Sequence, residues 1–490
     1  MESTASNRSR SAVSTATGRR LVTTTRGRTL IQSSRQNVPH DRSGCNIGGS
    51  IPGVTLTAPH SHSQLLRECF LAGVAAVHPE RCLPPALAAI PVATGPTALL
   101  AVGKASAGMA RAISAELAGR GTAPISSLIV GLEPGAGQLL GDHPVPGARS
   151  ARAAAAIGEW VAQLPPQTEV HVAISGGATS LMAAPLAGLA GTDLQQTFAN
   201  LLGSGLDVTM VNAIRKRLTR WGAGRLAAAI APRRTFAWVI SDVPGDDPAT
   251  IGSGPCSGDP WQSAALRAAL EAHGVWQALA PAIRTAIEVE TLKPGARELG
   301  DVQLQIVARN RDALSAAATF AAGRGCAVRE STRRITGEAR TGGEEIATEL
   351  IESRRQMRAP LEVTVCGGES VVSLGEVFGV GGRNQELALA AARSLAQAET
   401  GDETLLLAAG TDGKDGSSGA AGALIDGRTW SAIRLAGHDP DALLDRHQSD
   451  LALAAAGAQI VTGPTGTNVM DLVIGLNAKR VHPEVFEAHP

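Results

Sequence analysis

The chain has 490 residues, too many for one ordinary hydrophobic core, so we expect at least two domains. Its 44 Lys and Arg residues balance 44 Asp and Glu residues, which excludes a whole-chain basic field for nucleic acid. Six Trp, six Phe and no Tyr leave few rings on which bases could stack.

The six cysteines are scattered without zinc-ligand or Cys-x-x-Cys spacing. That usage is typical of buried thiols in a reducing compartment. No apolar run reaches the roughly 18 residues of a membrane span. We therefore expect a cytoplasmic protein with neither a membrane nor a nucleic-acid partner.

Residues 1–60 differ in composition from the rest of the chain. They hold eight arginines, many Ser and Thr residues, and only two acids, Glu2 and Asp41. A transit peptide has this composition, but no amphipathic helical stripe is visible. We predict a disordered extension.

From residue 61 onward, short β-like runs alternate with Ala-rich helical stretches. The runs are ALLAVGKA (98–105), ISSLIVGLE (125–133), EVHVAISGG (169–177) and TFAWVISDV (235–243). The alternation predicts parallel strands joined by helices, so we expect a Rossmann-like α/β domain over residues 61–300. Ligands of such sheets bind at the carboxyl ends of the strands.

A second series of β-like runs follows a helix-rich connection at residues 255–300. Its runs are VQLQIVARN (302–310), GCAVREST (325–332), LEVTVCGGESVVSL (361–374), ETLLLAAGTDG (403–413) and QIVTGPTGTNVMDLVIGL (459–476). The stretch CGGESVVSL resembles a hairpin, so we expect a smaller α/β domain with a mixed sheet over residues 301–485. The boundary is placed near residue 300.

The first run leads into a lysine. LLAVGKASAGMARA (99–112) predicts a strand, a glycine turn at Gly103, Lys104 and a helix. A lysine at a helix start suits a phosphate. Ala98 and Ala105 stand where a Walker A loop needs Gly and Ser or Thr, so this is not that motif. A surface lysine after a turn is the alternative.

The third run ends on a small polar turn. Ser175, Gly176 and Gly177 offer backbone donors that could hold a phosphate or a carboxylate. An ordinary glycine turn capped by Ser and Thr explains the same residues.

The fourth run leads into a group of acids. Asp242 follows an apolar strand, and Asp246 and Asp247 follow Pro244-Gly245. Such carboxylates could hold Mg²⁺ or accept a proton, and we take Asp242 and Asp246 as the candidate metal ligands. Turn chemistry alone would also place Asp residues here.

A glycine loop in the second half carries four polar residues at a helix start, in GVGGRNQELALAAARSLA (379–396). Arg383 offers a planar fork for phosphate or carboxylate oxygens. We expect Asn384 and Gln385 to bind hydroxyls or the nucleotide, and Glu386 to orient Arg383. A helix cap with a solvated arginine is the alternative.

Two later glycine loops complete the candidate site. GTDGKDGSSGAAGAL (410–424) carries Asp412 and Asp415, but lacks the ligand pattern of an EF-hand. TGPTGTNVMDL (462–472) could line a polar pocket with Thr465, Thr467, Asn468 and Asp471. No His-Glu-x-x-His, Gly-x-Ser-x-Gly or helix-opening Gly-x-Gly-x-x-Gly motif is present.

Taken together, these segments resemble the class II glycerate 2-kinases of the glycerate kinase/MOFRL family over about residues 64–478. The matching strings are LRECFLAGVAAVHPER, VGKASAGMA, DHPVPG, ISGGATSLM, VNAIRKRLTRWGAGRLA, SDVPGDDPATIGSGP, GEAR, CGGES, GGRNQELAL, GTDGKDGSSGAAGA and TGPTGTNVMDL. Their order and spacing fit the family.

The resemblance implies phosphorylation of D-glycerate by ATP with Mg²⁺, giving 2-phosphoglycerate. It implies two α/β domains with the active site in the cleft between them, and it is compatible with a homodimer. Lys104 and Arg383 match the family's catalytic cations, and Asp242 is a third catalytic candidate. The residues expected to bind substrate or nucleotide are Ser175, Gly176, Gly177, Asn384, Glu386, Asp412, Thr465, Thr467 and Asn468.

Three positions depart from the family pattern. Met470 replaces an Asn, Gly222-Ala223-Gly224 replaces Lys-Gly-Gly, and Arg217 stands at the last position of an Arg-Lys-His motif. Two other functions remain open: a hydroxypyruvate reductase, against which the missing dinucleotide motif argues, and a non-catalytic metabolite-binding relative.

Overall fold

The structure is a computed structural model that describes residues 59–202, 206, 208–375 and 378–479. The extension predicted for residues 1–60 lies outside the described residues, apart from its last two positions. Among the described helices, none combines the length and apolar character that a bilayer span requires.

The first sheet is parallel throughout, with the strand order β3-β2-β1-β4-β5-β6. Its strands are β1 (Thr97–Val102), β2 (Pro124–Gly131), β3 (Gln138–Leu140), β4 (Glu169–Ile174), β5 (Thr235–Ile240) and β6 (Val302–Ala308). The central strands β1 and β5 are buried along their whole length, as expected of a parallel sheet covered on both faces. The predicted Rossmann-like sheet is confirmed.

The second sheet is mixed, with the order β11-β10-β9-β12-β8-β7. Its strands are β7 (Ala327–Glu330), β8 (Leu361–Gly368), β9 (Thr404–Gly410), β10 (Gly422–Asp426), β11 (Gln459–Ile460) and β12 (Asp471–Ala478). Only β7 and β8 pair in parallel; the other neighbours are antiparallel.

Sixteen α-helices connect and cover the strands in the described part of the chain. They are α1 (Pro59–Ala76), α2 (Pro79–Ala88), α3 (Ser106–Gly119), α4 (Ala148–Gln163), α5 (Ala178–Leu181), α6 (Gly191–Leu202), α7 (Val208–Leu218), α8 (Arg225–Ile230), α9 (Ser263–Ala272), α10 (Pro281–Glu288), α11 (Asn310–Gly323), α12 (Ala339–Gln356), α13 (Arg383–Gln397), α14 (Thr429–Leu435), α15 (Pro440–Asp445) and α16 (Ser449–Ala455).

Two details of the second series were predicted wrongly. The run at 302–310 does not open the second sheet, because β6 pairs with β5 at the edge of the first sheet. The stretch CGGESVVSL forms no hairpin; after β8, Val371 makes a single parallel bridge to Glu338. The mixed sheet arises from β9 and β12 instead. The domain boundary near residue 300 stays a prediction.

One helical layer lies between the two sheets. Helices α1, α2, α3 and α11 share a hydrophobic cluster with Leu99 and Trp238 of the first sheet and with Leu407 and Ile474 of the second. Helices α4 and α8 cover the other face of the first sheet, and α12 and α13 the other face of the second. The shared core positions the edges of the two sheets relative to each other.

Candidate active site

Polar side chains from both sheets meet at the ends of the strands. Lys104, after β1, has its Nζ 2.9 Å from Oδ2 of Asp412, after β9. Asn468, before β12, donates from Nδ2 to Oδ2 of Asp242, after β5, at 3.1 Å. We call this place the inter-sheet cleft, defined by Lys104, Asp242, Arg383, Asp412 and Asn468.

Lys104 is positioned by the neighbouring turn. Its backbone N–H donates to the carbonyl of Gly176 at 2.8 Å, which ties the β1 turn to the β4 turn. Gly177 has a φ of 81°, and a Cβ there would lie 3.6 Å from Lys104 Cγ. The lysine side chain is 29% exposed, so its ammonium is accessible from the cleft.

Asp242 is packed against the glycine turn. A Cβ on Gly176 would lie 2.1 Å from Asp242 Oδ2, so only glycine fits beside this carboxylate. Burial raises the pKa of Asp242, while the positive charge of Lys104 opposes that rise. Among the described residues, Asp242 has no ion-pair partner within 4 Å. It is therefore the cleft carboxylate best able to accept a further ligand.

Arg383 is the first residue of α13, and its guanidinium is held by two acids. Nε and Nη2 donate to the two oxygens of Asp471 at 2.6 and 2.9 Å. Nη1 lies 2.8 Å from Glu369 Oε1. Although burial opposes it, these two carboxylates raise the pKa of Arg383, which stays charged at any ordinary pH.

The other polar residues at the start of α13 do not reach the cleft. Asn384 is buried, and both its backbone N–H and its Nδ2 donate to Asp415. Glu386 is buried beside Arg340 and His447, at 3.4 and 3.0 Å, so it does not orient Arg383. Successive helical residues point about 100° apart, which sends these neighbours in different directions. The ligand-binding roles expected for Asn384 and Glu386 stay predictions.

Three more candidates have structural partners. Ser175 is fully buried, and its Oγ accepts from the backbone N–H of Ala105 at 3.0 Å. Thr467 is also buried and donates to the carbonyl of Val77 at 2.8 Å. Thr465 donates to the carbonyl of Thr411. These hydroxyls fasten the loops that carry Lys104, Asp412 and Asn468. Their expected ligand contacts stay predictions.

Asp246, the second metal candidate, is turned towards a cation. Its Oδ2 lies 3.7 Å from Arg309 Nε. In the described part of the chain, no three His, Cys, Asp or Glu side chains are grouped to hold a metal ion. A metal here would need ligands from a bound molecule as well as from Asp242.

Sequence reasoning missed Glu369 at this site, and it gave Asp471 no role beyond that of a pocket-lining loop residue. Burial raises the pKa of Glu369 to about 7, although Arg383 opposes the rise. Asp471 is almost fully buried under Arg383. Glu369 stood in the matched string CGGES and Asp471 in the last one, but neither has a sequence pattern of its own. Asp415, which Asn384 and Gln385 cap with backbone N–H groups, has its pKa raised to about 6 by burial.

His143 also faces this region. A Cβ on Gly177 would lie 3.2 Å from His143 Cδ2. Desolvation and the charges of Lys104, Arg215 and Lys414 lower the pKa of His143 to about 4. The imidazole is therefore neutral at pH 7 and does not act as an acid there.

Comparisons with known proteins identify the family. The model of a domain of unknown function, DUF4147, matches residues 65–288, and the MOFRL family model matches residues 362–471. A D-glycerate 2-kinase of Thermotoga maritima is 36% identical over 68% of this chain and 78% of its own length. The chain belongs to the MOFRL glycerate kinase family.

Two further relatives carry different enzyme names. The crystal structure of a glycerate kinase from Thermotoga maritima superposes with a TM-score of 0.73 at 32% identity, covering 86% of this chain and all of that one. A putative hydroxypyruvate reductase of Agrobacterium vitis is 37% identical over 84% of this chain and 94% of its own length.

In this member of the MOFRL glycerate kinase family, the three positions that differ from the family's sequence pattern have local structural consequences. Ala223 has a φ of 52° and Met470 a φ of 69°, a conformation that suits Gly or Asn better than either residue. Arg217 is fully buried and lies 3.0 Å from Asp259, with further bonds to backbone carbonyls. It anchors helices rather than facing the cleft.

Proposed function

We propose that the protein phosphorylates D-glycerate at the 2-hydroxyl, using ATP. The observation that carries the proposal is the convergence of two cations, Lys104 from the first sheet and Arg383 from the second, on one cleft. Phosphoryl transfer needs little covalent chemistry from the protein, but it needs positioned positive charge around the moving group. The names of the related D-glycerate 2-kinase and glycerate kinase support the same reaction.

The paired acids prepare the cations for this task. Asp412 holds Lys104, and Asp471 with Glu369 holds Arg383, so both are fixed before a ligand arrives. Preorganised donors cost no rearrangement when charge develops in the transition state. The Arg383 bonds use three of its five N–H groups, which leaves two for phosphoryl oxygens.

We propose Asp242 as the protein ligand of a Mg²⁺ ion that arrives with ATP. Burial raises its pKa although Lys104 and Arg383 oppose the rise, and a bound cation would further stabilise the ionised carboxylate. Mg²⁺ usually takes one or two carboxylates together with phosphates and water, so a three-residue protein site is not required. The ion would neutralise charge on the phosphates.

Asp242→Asn tests this role, because it keeps the shape of the side chain and removes its charge. We expect a loss of activity that is largest at limiting Mg²⁺ and is partly recovered at high Mg²⁺. Initial rates over a Mg²⁺ series measure it, with Asp247→Asn as the matched control on the neighbouring exposed turn. If the rate of Asp242→Asn depended on Mg²⁺ as the wild-type rate does, Asp242 would have a purely structural role.

The name of the Agrobacterium vitis relative favours a second candidate, reduction of hydroxypyruvate. That reaction needs a nicotinamide cofactor, and the turn after β1 reads Gly-Lys-Ala-Ser without the glycine pattern of dinucleotide sites. The purified chain should form ADP from ATP only when D-glycerate is added, and it should not oxidise NADH with hydroxypyruvate. Oxidation of NADH without use of ATP would favour the reductase over the kinase.

The composition supports placing this activity in the cytoplasm, without nucleic-acid or membrane partners. A homodimer remains a prediction that sedimentation of the full chain would test.

A further inference from the structure

The last turn of helix α7 carries three successive cations, and a fourth, Arg225, begins α8. Three of these four side chains have hydrogen-bond or ion-pair partners. Lys216 donates to the carbonyl of Ala249, and Arg217 binds Asp259 and several carbonyls. Arg225 donates to carbonyls at the end of α7. These three cations are therefore explained by the fold.

Arg215, on the same helix, is the exception. Its Nε and Nη2 are covered from solvent and have no hydrogen-bond partner among the described residues. Burial alone lowers its pKa, with no carboxylate acting in the other direction. Two covered guanidinium nitrogens without hydrogen-bond partners cost stability, so their presence calls for an explanation outside folding.

A second unpartnered polar group lies beside it. Asn212 precedes Arg215 by three residues, which places both side chains on the same face of α7. Asn212 is 8% exposed and makes no side-chain hydrogen bond within the described residues. The guanidinium, with two covered nitrogens that lack hydrogen-bond partners, and the amide beside it form a set of donors suited to a small oxygen-rich anion.

The position of this pair connects it with the inter-sheet cleft. The Arg215 charge reaches His143, whose ring is also affected by Lys104, Lys414 and Asp412. The guanidinium lies over the ring of Phe198 on α6, 4.9 Å from the ring centre. Helix α6 and His143 also line a hollow of about 660 Å³. Arg215 therefore lies near His143 and α6, which line this hollow, although Arg215 itself is not part of the lining.

We propose that Arg215 and Asn212 form the acceptor subsite, in which Arg215 binds the carboxylate of the hydroxy acid and Asn212 a neighbouring hydroxyl. This proposal rests on the proposed function, because it says which residues bind the carboxylate end of D-glycerate while the hydroxyl is phosphorylated. A planar fork matches a carboxylate better than an ammonium does, which explains an arginine at this position. The subsite also accounts for selection of an acid over an uncharged polyol.

Arg215→Met tests the subsite, with Arg220→Met as the matched control. Arg220 also lies over an aromatic ring, that of Trp221 at 4.6 Å, but it is exposed. We expect Arg215→Met to raise the KM for D-glycerate about 10- to 100-fold, with the KM for ATP changed less than about twofold. Arg215→Lys should give an intermediate KM, and Asn212→Ala a smaller rise. The control should resemble the wild type.

A binding measurement separates this subsite from a structural role and from the proposed function itself. Thermal melts with D-glycerate, in the presence of a non-hydrolysable ATP analogue and Mg²⁺, should show a shift for the wild type and for Arg220→Met, but none for Arg215→Met. Without ligand, Arg215→Met should melt no lower than the wild type, because an unpaired buried charge has been removed.

Three results would overturn the subsite. An equal glycerate shift in Arg215→Met would leave the proposed function standing and refute the subsite alone. A rise in the KM for ATP instead of the KM for glycerate would show that Arg215 binds the nucleotide and not the acceptor. A wild-type chain without any glycerate response would refute the proposed function, and the subsite with it.

Discussion

At the scale of single residues, Arg383 shows how four adjacent polar side chains are given different tasks. Only Arg383 faces the cleft, whereas Asn384, Gln385 and Glu386 bind partners inside the second domain. The type of residue suggested a site, but helix geometry decided which of the four belongs to it. Sequence alone could identify the segment and not the individual roles of its neighbours.

Arg383→Ala should lower kcat on the order of 10²–10³-fold, as for other preorganised donors at a transition state. Arg383→Lys should also impair turnover, because lysine keeps the charge and loses the fork. The KM for ATP should change much less than kcat, and steady-state kinetics measure the split. Arg393→Ala, an ion-paired arginine on the same helix, is the control. A rise only in the KM for glycerate would make Arg383 a carboxylate clamp.

The ionisation of Glu369 should make the activity depend on pH. Its pKa of about 7 means that it loses its charge, and its ionic hold on Arg383, as the pH falls below neutrality. We expect kcat to fall on the acid side with an apparent pKa near 7. Glu369→Gln should be less active and should flatten this acid limb. If the acid side of the kcat–pH profile were unchanged in Glu369→Gln, the ionisation would belong to another group.

The same shift has a consequence for stability. The folded pKa of Glu369 lies above its ordinary value of 4.5, so the native state binds the proton more tightly than the unfolded chain. Its contribution to stability is therefore lost as the pH rises from about 4.5 to about 7. The unfolding free energy of Glu369→Gln relative to the wild type should move in favour of the variant between pH 5 and pH 8.

At the scale of elements, the turns decide the geometry of the site more than the helices and strands do. The β1 and β4 turns are joined by the Lys104 N–H and by the Ser175 hydroxyl. The alternation of strands and helices could be predicted because it follows hydrophobic patterning. These turn-to-turn bonds link residues about 70 positions apart and leave no local pattern.

The turn before α8 allows a test of backbone strain. Ala223 is buried with a φ of 52°, a conformation that costs an L-residue roughly 1–2 kcal/mol. Ala223→Gly removes that cost, but it loses a methyl group and adds chain entropy, each worth about 0.8 kcal/mol. We expect a change within about 1 kcal/mol of zero.

Ala227→Gly is the matched control for that turn. Ala227 is equally buried but lies inside α8, where there is no strain to relieve. It should destabilise by roughly 1–2 kcal/mol in urea unfolding. Equal losses for the two variants would show that the Ala223 backbone is not strained.

At the scale of the whole molecule, both sheets contribute to one polar cleft. Hydrophobic patterning was enough to predict two α/β units, but it assigned β6 to the wrong sheet. Strand pairing is decided by neighbours far along the chain, such as β5, and not by the run itself. Likewise, the partners Lys104 and Asp412 are 308 residues apart, so only the fold reveals the pair.

The most direct test of the central claim is ³¹P NMR of the products formed by the full-length chain from D-glycerate and Mg·ATP. The proposed function predicts ADP and 2-phosphoglycerate in equal amounts, with no product signal from Arg383→Ala on the same time scale. Formation of 3-phosphoglycerate would contradict the assignment of the 2-hydroxyl. The absence of any phosphorylated product, together with NADH-dependent reduction of hydroxypyruvate, would contradict the account as a whole.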